Sequence, residues 1–287
     1  GETANITLGA AISPAPVVSV TKEVAQVGIV SKGAWDVNAT ASNYELHNTA
    51  YATTLTNGTT TSSDISQAVY ANKSATYNFS NPRGLWFKPD GTHFYVLERN
   101  TAKIKDYTLS TAWDVSTASY STEYTFTVYI GTDSPTQARN LWFNYAGTSL
   151  YVNNVTGVGE YILSTAWDIS TISYVTGSNF YTGNSETSTR GFSWKPDGTK
   201  MYAVGTANDT VYEWHFSTGF DFTTGNQSNA QASFSLSAQS TSPRDIHFNS
   251  DGTTMYITHS TGPIYEYSLS TAWDVTTASY SNNSLVV

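Results

Sequence analysis

The 287-residue chain contains no cysteine. That excludes a disulfide framework, a thiolate nucleophile and cysteine-ligated zinc. The chain is also short of charge. Lys, Arg, Asp and Glu make up 12% of it, and 22 acids against 13 bases leave a formal net charge of −9. Binding to a phosphate backbone needs a basic stripe, so nucleic acid is excluded as a partner. No apolar run is long enough for a membrane-spanning helix, so no membrane insertion is expected. Amphipathic helices of useful length are missing. So are the GxSxG elbow, the Gly-Lys-Ser/Thr phosphate loop, the GxGxxG fingerprint and HExxH. No cofactor and no metal are expected. The chain opens on GETANITLG, without Met and without a signal peptide's basic and apolar regions, and is read as processed, trimmed or excerpted.

What the chain does have is aromatic and repetitive. Phe, Trp and Tyr make up 14% of it, which with strong periodicity excludes disorder. One phrase is written four times: RGLWFKPDGT from Arg83, RNLWFNYAGT from Arg139, RGFSWKPDGT from Arg190 and RDIHFNSDGT from Arg244. An aromatic-rich strand follows each, then an acid–aromatic pair (Asp106-Tyr107, Glu160-Tyr161, Glu213-Trp214, Glu266-Tyr267). Each copy closes on a Ser/Thr-rich phrase such as LSTAWDVSTASY, whose Asp recurs at 114, 168, 221 and 274. A fixed period of about 50 residues marks a propeller blade or a solenoid.

The content of one period selects the blade. RGLWF is a short apolar strand, and KPDGT is an Asp-Gly hairpin turn. HFYVLE and KIKDYTLS are a second and third strand, and STEYTFTV is a fourth. The expected fold is therefore all-β: a β-propeller of about four blades, four antiparallel strands each, over residues 61–287. The phrase at Asp64–Tyr70 copies the closing phrase without a preceding strand set. The chain thus enters the repeat at its end, and residues 74–80 are expected to close the ring as the outer strand of the last blade. Residues 1–60 fall outside the repeat. ANITLGAAI and VVSVTKEVAQVGIV read as strands, and GAWDVNATASNY echoes the closing phrase. This small N-terminal β-rich segment is expected to serve attachment or assembly through residues 1–30, which in a surface filament would donate a strand to a neighbour.

Candidate functional residues come from the repeat. Four of the five arginines, Arg83, Arg139, Arg190 and Arg244, share one position just before the inner strand. They either ring the channel mouth and hold an anion, or each pairs with a repeated acid: the Asp of the closing phrase, or Asp106, Glu160, Glu213 and Glu266, which follow 21 to 23 residues on. Pairing is the expectation. Trp113, Trp167 and Trp273, with Phe220 in the third copy, are expected to pack blade against blade. His247 and His259 share a blade and are candidate neighbours. Ser193 and His247 depart from the repeat, so any binding site is sought there first. The remaining equivalent positions read as alike, which favours a scaffold over an enzyme.

The phrases KPDGTKMY at 195–202 and YEYSLSTAWDVTTASY at 265–280 resemble repeats of uncharacterised β-propeller proteins of aquatic bacteriophages and environmental bacteria. The resemblance covers about 62–280. It implies an extracellular or virion structural part, such as a tail fibre, decoration or adhesin. It carries no catalytic residues. The expected function is a non-enzymatic virion or tail-fibre accessory, with a subunit of a bacterial surface filament as a second form. Self-assembly or virion partners, with a cell-surface glycan as a further ligand, are the expected contacts. A carbohydrate-binding module or a propeller hydrolase or lactonase is the alternative.

Overall fold

The hairpin that opens each repeat forms because its glycine takes a backbone conformation that side chains rarely adopt. Gly91 and Gly147 sit at φ of +73° and +72°. In the first repeat the Gly91 N–H donates to the Lys88 carbonyl at 2.8 Å, and Lys88 N–H to the His93 carbonyl at 3.0 Å. Asp90 Oδ1 accepts from the Thr92 N–H at 2.9 Å, locking the turn as Asx turns do. In the second repeat Asn144 takes over that task, accepting from Thr148 N–H at 2.9 Å. Strand pairing then propagates from each hairpin.

The computed structural model describes residues 55–56, 59–60, 64–68, 71, 73–74, 77, 79–126, 134–260 and 262–286. The chain divides into two units, 1–63 and 64–287. Of the first, the described part is a two-stranded hairpin, Leu55–Thr56 with Thr59–Thr60. The strands expected within 1–30 and the echo at 33–44 lie outside the described residues.

The second unit is a propeller of four antiparallel four-stranded blades. Blade 1 is β1 (Pro82–Phe87), β2 (His93–Glu98), β3 (Lys103–Leu109) and β4 (Ala118–Thr125). Blade 2 is β5 (Asn140–Phe143), β6 (Ser149–Asn153), β7 (Gly157–Leu163) and β8 (Ile172–Tyr181). Blade 3 is β9 (Thr189–Trp194), β10 (Lys200–Gly205), β11 (Thr210–His215) and β12 (Ala232–Ser235). Blade 4 is β13 (Pro243–Phe248), β14 (Thr254–His259), β15 (Ile264–Leu269) and β16 (Ala278–Leu285). The first strands are the inner ones: β1 packs on β5, β5 on β9 and β9 on β13.

The closing phrase is a structural cap. Asp114, Asp168, Asp221 and Asp274 each accept, through a carboxylate oxygen, the backbone N–H two residues on, and so open a short 3-10 turn. The aromatic residue before each Asp folds back over the hairpin glycine of its own blade. Trp113, Trp167, Phe220 and Trp273 all sit at positive φ, 64–68°, and each N–H donates to the glycine carbonyl at 2.9–3.0 Å. A Cβ on Gly147 would lie 2.2 Å from the Trp167 ring. The same phrase then docks on the preceding blade. Tyr95 Oη donates to the Trp167 carbonyl at 2.9 Å, and Tyr202 Oη to the Trp273 carbonyl at 2.8 Å. Blade-to-blade packing by these aromatics is thus what the structure shows for Trp167, Phe220 and Trp273, whose rings stack on Tyr95, Tyr151 and Tyr202 of the preceding blades.

Three apolar clusters fill the junctions between blades 1 and 2, 2 and 3, and 3 and 4. The passage from blade 4 to blade 1 is built differently. Leu85 is 56% exposed, whereas its equivalents Leu141, Phe192 and Ile246 are buried. The described residues between 64 and 80 lie at this passage. The Ile65 N–H donates to Glu266 Oε2 of blade 4 at 3.1 Å, as Val275 N–H donates to Glu213 Oε2 of blade 3. Phe79 rests on Tyr107 of blade 1, as Phe126 rests on Tyr161 and Phe234 on Tyr267. The segment is therefore the tail of a fifth, partial repeat. This corrects the expected closure: the outer strand of blade 4 is β16, from its own closing phrase, while Tyr77 and Phe79, described residues of the 74–80 stretch, lie against blade 1. The phrase and the outer strand after it form one continuous unit, so each phrase supplies its own blade.

Candidate functional site

The inner strands bring their even and odd positions to different surfaces, because successive strand residues point to opposite faces. Leu141, Phe192 and Ile246 go into the junctions. The alternate face looks toward the axis. There the first layer is Gly84, Asn140, Gly191 and Asp245, and the second is Trp86, Trp142, Ser193 and His247.

The first layer is closely packed. Asn140 Nδ2 donates to Asp245 Oδ1 at 2.7 Å, linking blade 2 to blade 4. Each of these side chains also accepts the N–H of the following residue: Asn140 Oδ1 from Leu141, Asp245 Oδ1 from Ile246, both at 2.9 Å. The glycines make the room. A Cβ on Gly84 would lie 2.9 Å from Asn140 Oδ1, and one on Gly191 only 2.3 Å from Asp245 Oδ1. Asp245 Oδ2 takes no bond from a described residue. Burial within the ring of strands pushes the Asp245 carboxyl up to about 7, because the charged form loses water.

In the second layer Trp86 and Trp142 meet with ring centroids 5.3 Å apart. Ser193 is buried. His247 is solvent-accessible along the axis yet surrounded by protein, and that desolvation lowers its pKa below the usual imidazole value. The structure thus brings Ser193 and His247 to one layer, as unlike residues at equivalent positions. His259 is not beside His247: it pairs with Pro243, while His247 pairs with Tyr256.

Above the Gly/Asn/Gly/Asp layer stand the arginines. The register shifts by one residue across Arg83, Arg190 and Arg244, a β-bulge in each inner strand. A bulge re-aims a side chain relative to regular pleating. Arg139 precedes β5, with its N–H on the Asn153 carbonyl at 2.8 Å. Arg99, from the turn between β2 and β3, joins them and donates to Gln137 Oε1 at 2.6 Å. Burial and the proximity of Arg190, Arg99, Arg83 and Arg244 hold the Arg139 guanidinium down at about 10. Arg190 is lowered for the same reasons.

The expected pairing of these arginines with the repeated acids is not what forms. Asp106 binds His93 Nδ1 at 2.9 Å, and Glu160 accepts from Tyr151 Oη and Ser178 Oγ. Glu213 binds Lys200 at 2.8 Å and His215. Glu266 accepts from Ile65 N–H and from Asn283. The phrase aspartates are committed to their 3-10 caps. Constant spacing in sequence had suggested contact, but the acid sits in the third strand, far along the blade from the axial end of the first. Asn140, Asp245 and Arg99 were not read from the sequence. The signal for the first two was the residue after each repeated arginine, which alternates Gly, Asn, Gly, Asp.

No protein-family model and no curated protein matches the chain. Solved propellers are similar in architecture. One, from Bacteroides uniformis and provisionally named a 6-phosphogluconolactonase, is 14% identical over 72% of this chain and 55% of its own, with a TM-score of 0.46. A second of that provisional name, from Bacteroides fragilis, is 15% identical over the same shares, with a TM-score of 0.47. The periplasmic gluconolactonase of Pseudomonas aeruginosa is 10% identical over 66% of this chain and 53% of its own, with a TM-score of 0.43. The chain spans about half the length of these structures. The expectation of a non-enzymatic virion or filament part rested on alike residues at equivalent positions of the repeat. At the axis those positions are unlike, with Gly84, Asn140, Gly191 and Asp245 in one layer and Trp86, Trp142, Ser193 and His247 in the next, so that expectation does not stand.

Proposed function

We propose that the chain is a hydrolase that opens a lactone or cleaves an ester at the propeller axis. The observation that carries this is Asp245: one carboxyl, raised to about 7, held by Asn140 across the axis with Oδ2 left for a reactant. A general base works best when its pKa lies near the operating pH, and such a group contributes about 10²–10⁴-fold in rate. The four inner strands carry a single carboxyl, where the usual glycosidase route needs two. An activated carbonyl is the substrate that one tuned carboxyl serves best.

In this reading water bound at Asp245 Oδ2 attacks the carbonyl carbon. Its proton passes to Oδ2 as the carbon–oxygen bond forms. The tetrahedral intermediate collapses with cleavage of the ring or ester C–O bond. The leaving alkoxide takes the proton back from Asp245, giving a hydroxy acid, or an acid and an alcohol. The guanidiniums above the layer supply positive potential toward the developing oxyanion. The Asn140 bond and the Ile246 N–H fix Oδ1, so only Oδ2 is presented.

A panel of δ-lactones and aryl esters, followed by proton release, tests the proposal. Wild type hydrolyses at least one class, and Asp245→Asn loses about 10²-fold or more while keeping its fold. Full activity in Asp245→Asn, or none in wild type over the panel, overturns it.

A further inference from the structure

We infer that Arg83, Arg99, Arg139, Arg190 and Arg244 form a binding site for a compact tetrahedral oxyanion, a phosphoryl-type group carrying two negative charges. All five arginines of a chain with net charge −9 converge on one end of the axis. Among the described residues none of them makes an ion pair. The ion pairs there use lysines and histidines instead.

Their few hydrogen bonds are to neutral groups: Arg99 to Gln137, and Arg190 Nε to Thr206 Oγ1 at 3.2 Å. Arg99 Nε and Arg139 Nε are buried without any partner. Unsatisfied buried donors in a native structure call for an explanation, and a bound ion is one. One acid, Glu186, lies near enough to Arg190 to offset part of the repulsion, but it forms no ion pair with any of the five among the described residues. It is fully buried and its Oε1 accepts the N–H groups of Ser188 at 2.8 Å and Ala207 at 3.2 Å.

Geometry selects the anion. Three of the arginines are aimed by equivalent bulges on three different blades, so the forks approach one axis from several sides. A planar carboxylate offers oxygens along one plane and satisfies one bidentate guanidinium. A tetrahedral oxyanion offers oxygens in every direction and satisfies several. Five mutually repelling cations also gain most from a doubly charged ligand. This deepens the reading of Asp245 only in making the ligand part of the substrate. The site itself needs no hydrolysis.

The test is calorimetric titration and thermal shift at low ionic strength. The probes are inorganic phosphate, sulfate, acetate and malonate, each against chloride at matched ionic strength. Phosphate and sulfate bind saturably and raise Tm, while acetate and malonate do so at least tenfold more weakly. Arg139→Gln and Arg190→Gln each weaken phosphate at least tenfold. Either variant suffices if the other fails to fold. No saturable phosphate binding, equal binding of malonate, or undiminished binding in the folded variants overturns the site. Phosphate binding without hydrolysis of any lactone or ester leaves this site standing and removes the catalytic reading instead.

Discussion

Asn140 Nδ2 meets Asp245 Oδ1 at 2.7 Å although 105 residues separate them, and the bond joins two blades that are not neighbours around the ring. The two side chains come from the same repeat position, and each folds over the next residue's N–H in the same way. The layer is thus a repeat used twice with one atom changed, nitrogen for oxygen. That change creates the only carboxyl on the inner strands.

A carboxyl raised in the folded state makes stability depend on pH. The unfolded value is 3.8 and the folded value about 7. Below 3.8 both states hold the proton and the contribution is fully present. As pH rises through 7 the folded state must also ionise and the contribution is lost, up to about 4 kcal/mol. Asp245→Asn removes the term. Its stability relative to wild type, from urea unfolding, is expected to improve steadily between pH 4 and 8 and to level off above. A difference that does not change with pH contradicts this.

The first layer depends on two glycines. Gly191→Ala places a Cβ 2.3 Å from Asp245 Oδ1 and 2.5 Å from Asp245 Cα. Backbone is involved, so Asp245 must shift and the Asn140 bond is lost. Such overpacking costs about 1–3 kcal/mol. The expected result is a folded variant with a lowered Tm whose Asp245 titrates away from 7, read by carboxyl NMR.

Equivalent leucines are expected to respond unequally. Leu141 is 1% exposed within the blade 1–2 cluster, and Leu85 is 56% exposed. Leu141→Ala should cost about 2–5 kcal/mol by transfer and cavity terms, whereas Leu85→Ala should stay within about 0.5 kcal/mol. Chemical denaturation of the two variants checks this, and equal losses would mean that the Leu85 face is covered in solution.

The closing phrase predicts a further loss. Asp168 accepts the Ser170 N–H at 3.0 Å and its hydroxyl at 2.6 Å. Asp168→Ala removes this cap and should cost about 1 kcal/mol, while Asp168→Asn keeps an acceptor and should cost less. Thermal melts of both separate capping from charge.

Much of this fold was legible because the repeat carries its own turn chemistry. Lys88-Pro89-Asp90-Gly91 dictates a hairpin locally, and four such hairpins at a steady spacing dictate four blades. Closure differs from the expectation because Asp64–Tyr70 looks like a spare end, and it takes the Ile65 bond to Glu266 and the contact of Phe79 with Tyr107 to show that it sits between blades 4 and 1. The arginine column was legible as a column, but its partners were not. Spacing along a strand says nothing about which end of the blade a side chain reaches, and the acids proved to be spent on His93, Tyr151, Lys200 and Asn283. Asp245 escaped notice because a lone Asp among three unlike residues looks like drift until the axis brings the four together.

The central claim is that Asp245 is an acid–base group poised near neutrality at a reactive axis. The pH dependence of kcat/KM on the best lactone or ester, for wild type and Asp245→Asn, tests it most directly. The wild-type rate is expected to rise with pH through a midpoint near 7, the ionisation of Asp245, and the variant's residual rate to lack that limb. A midpoint near 4, or the same limb surviving in Asp245→Asn, would contradict the account.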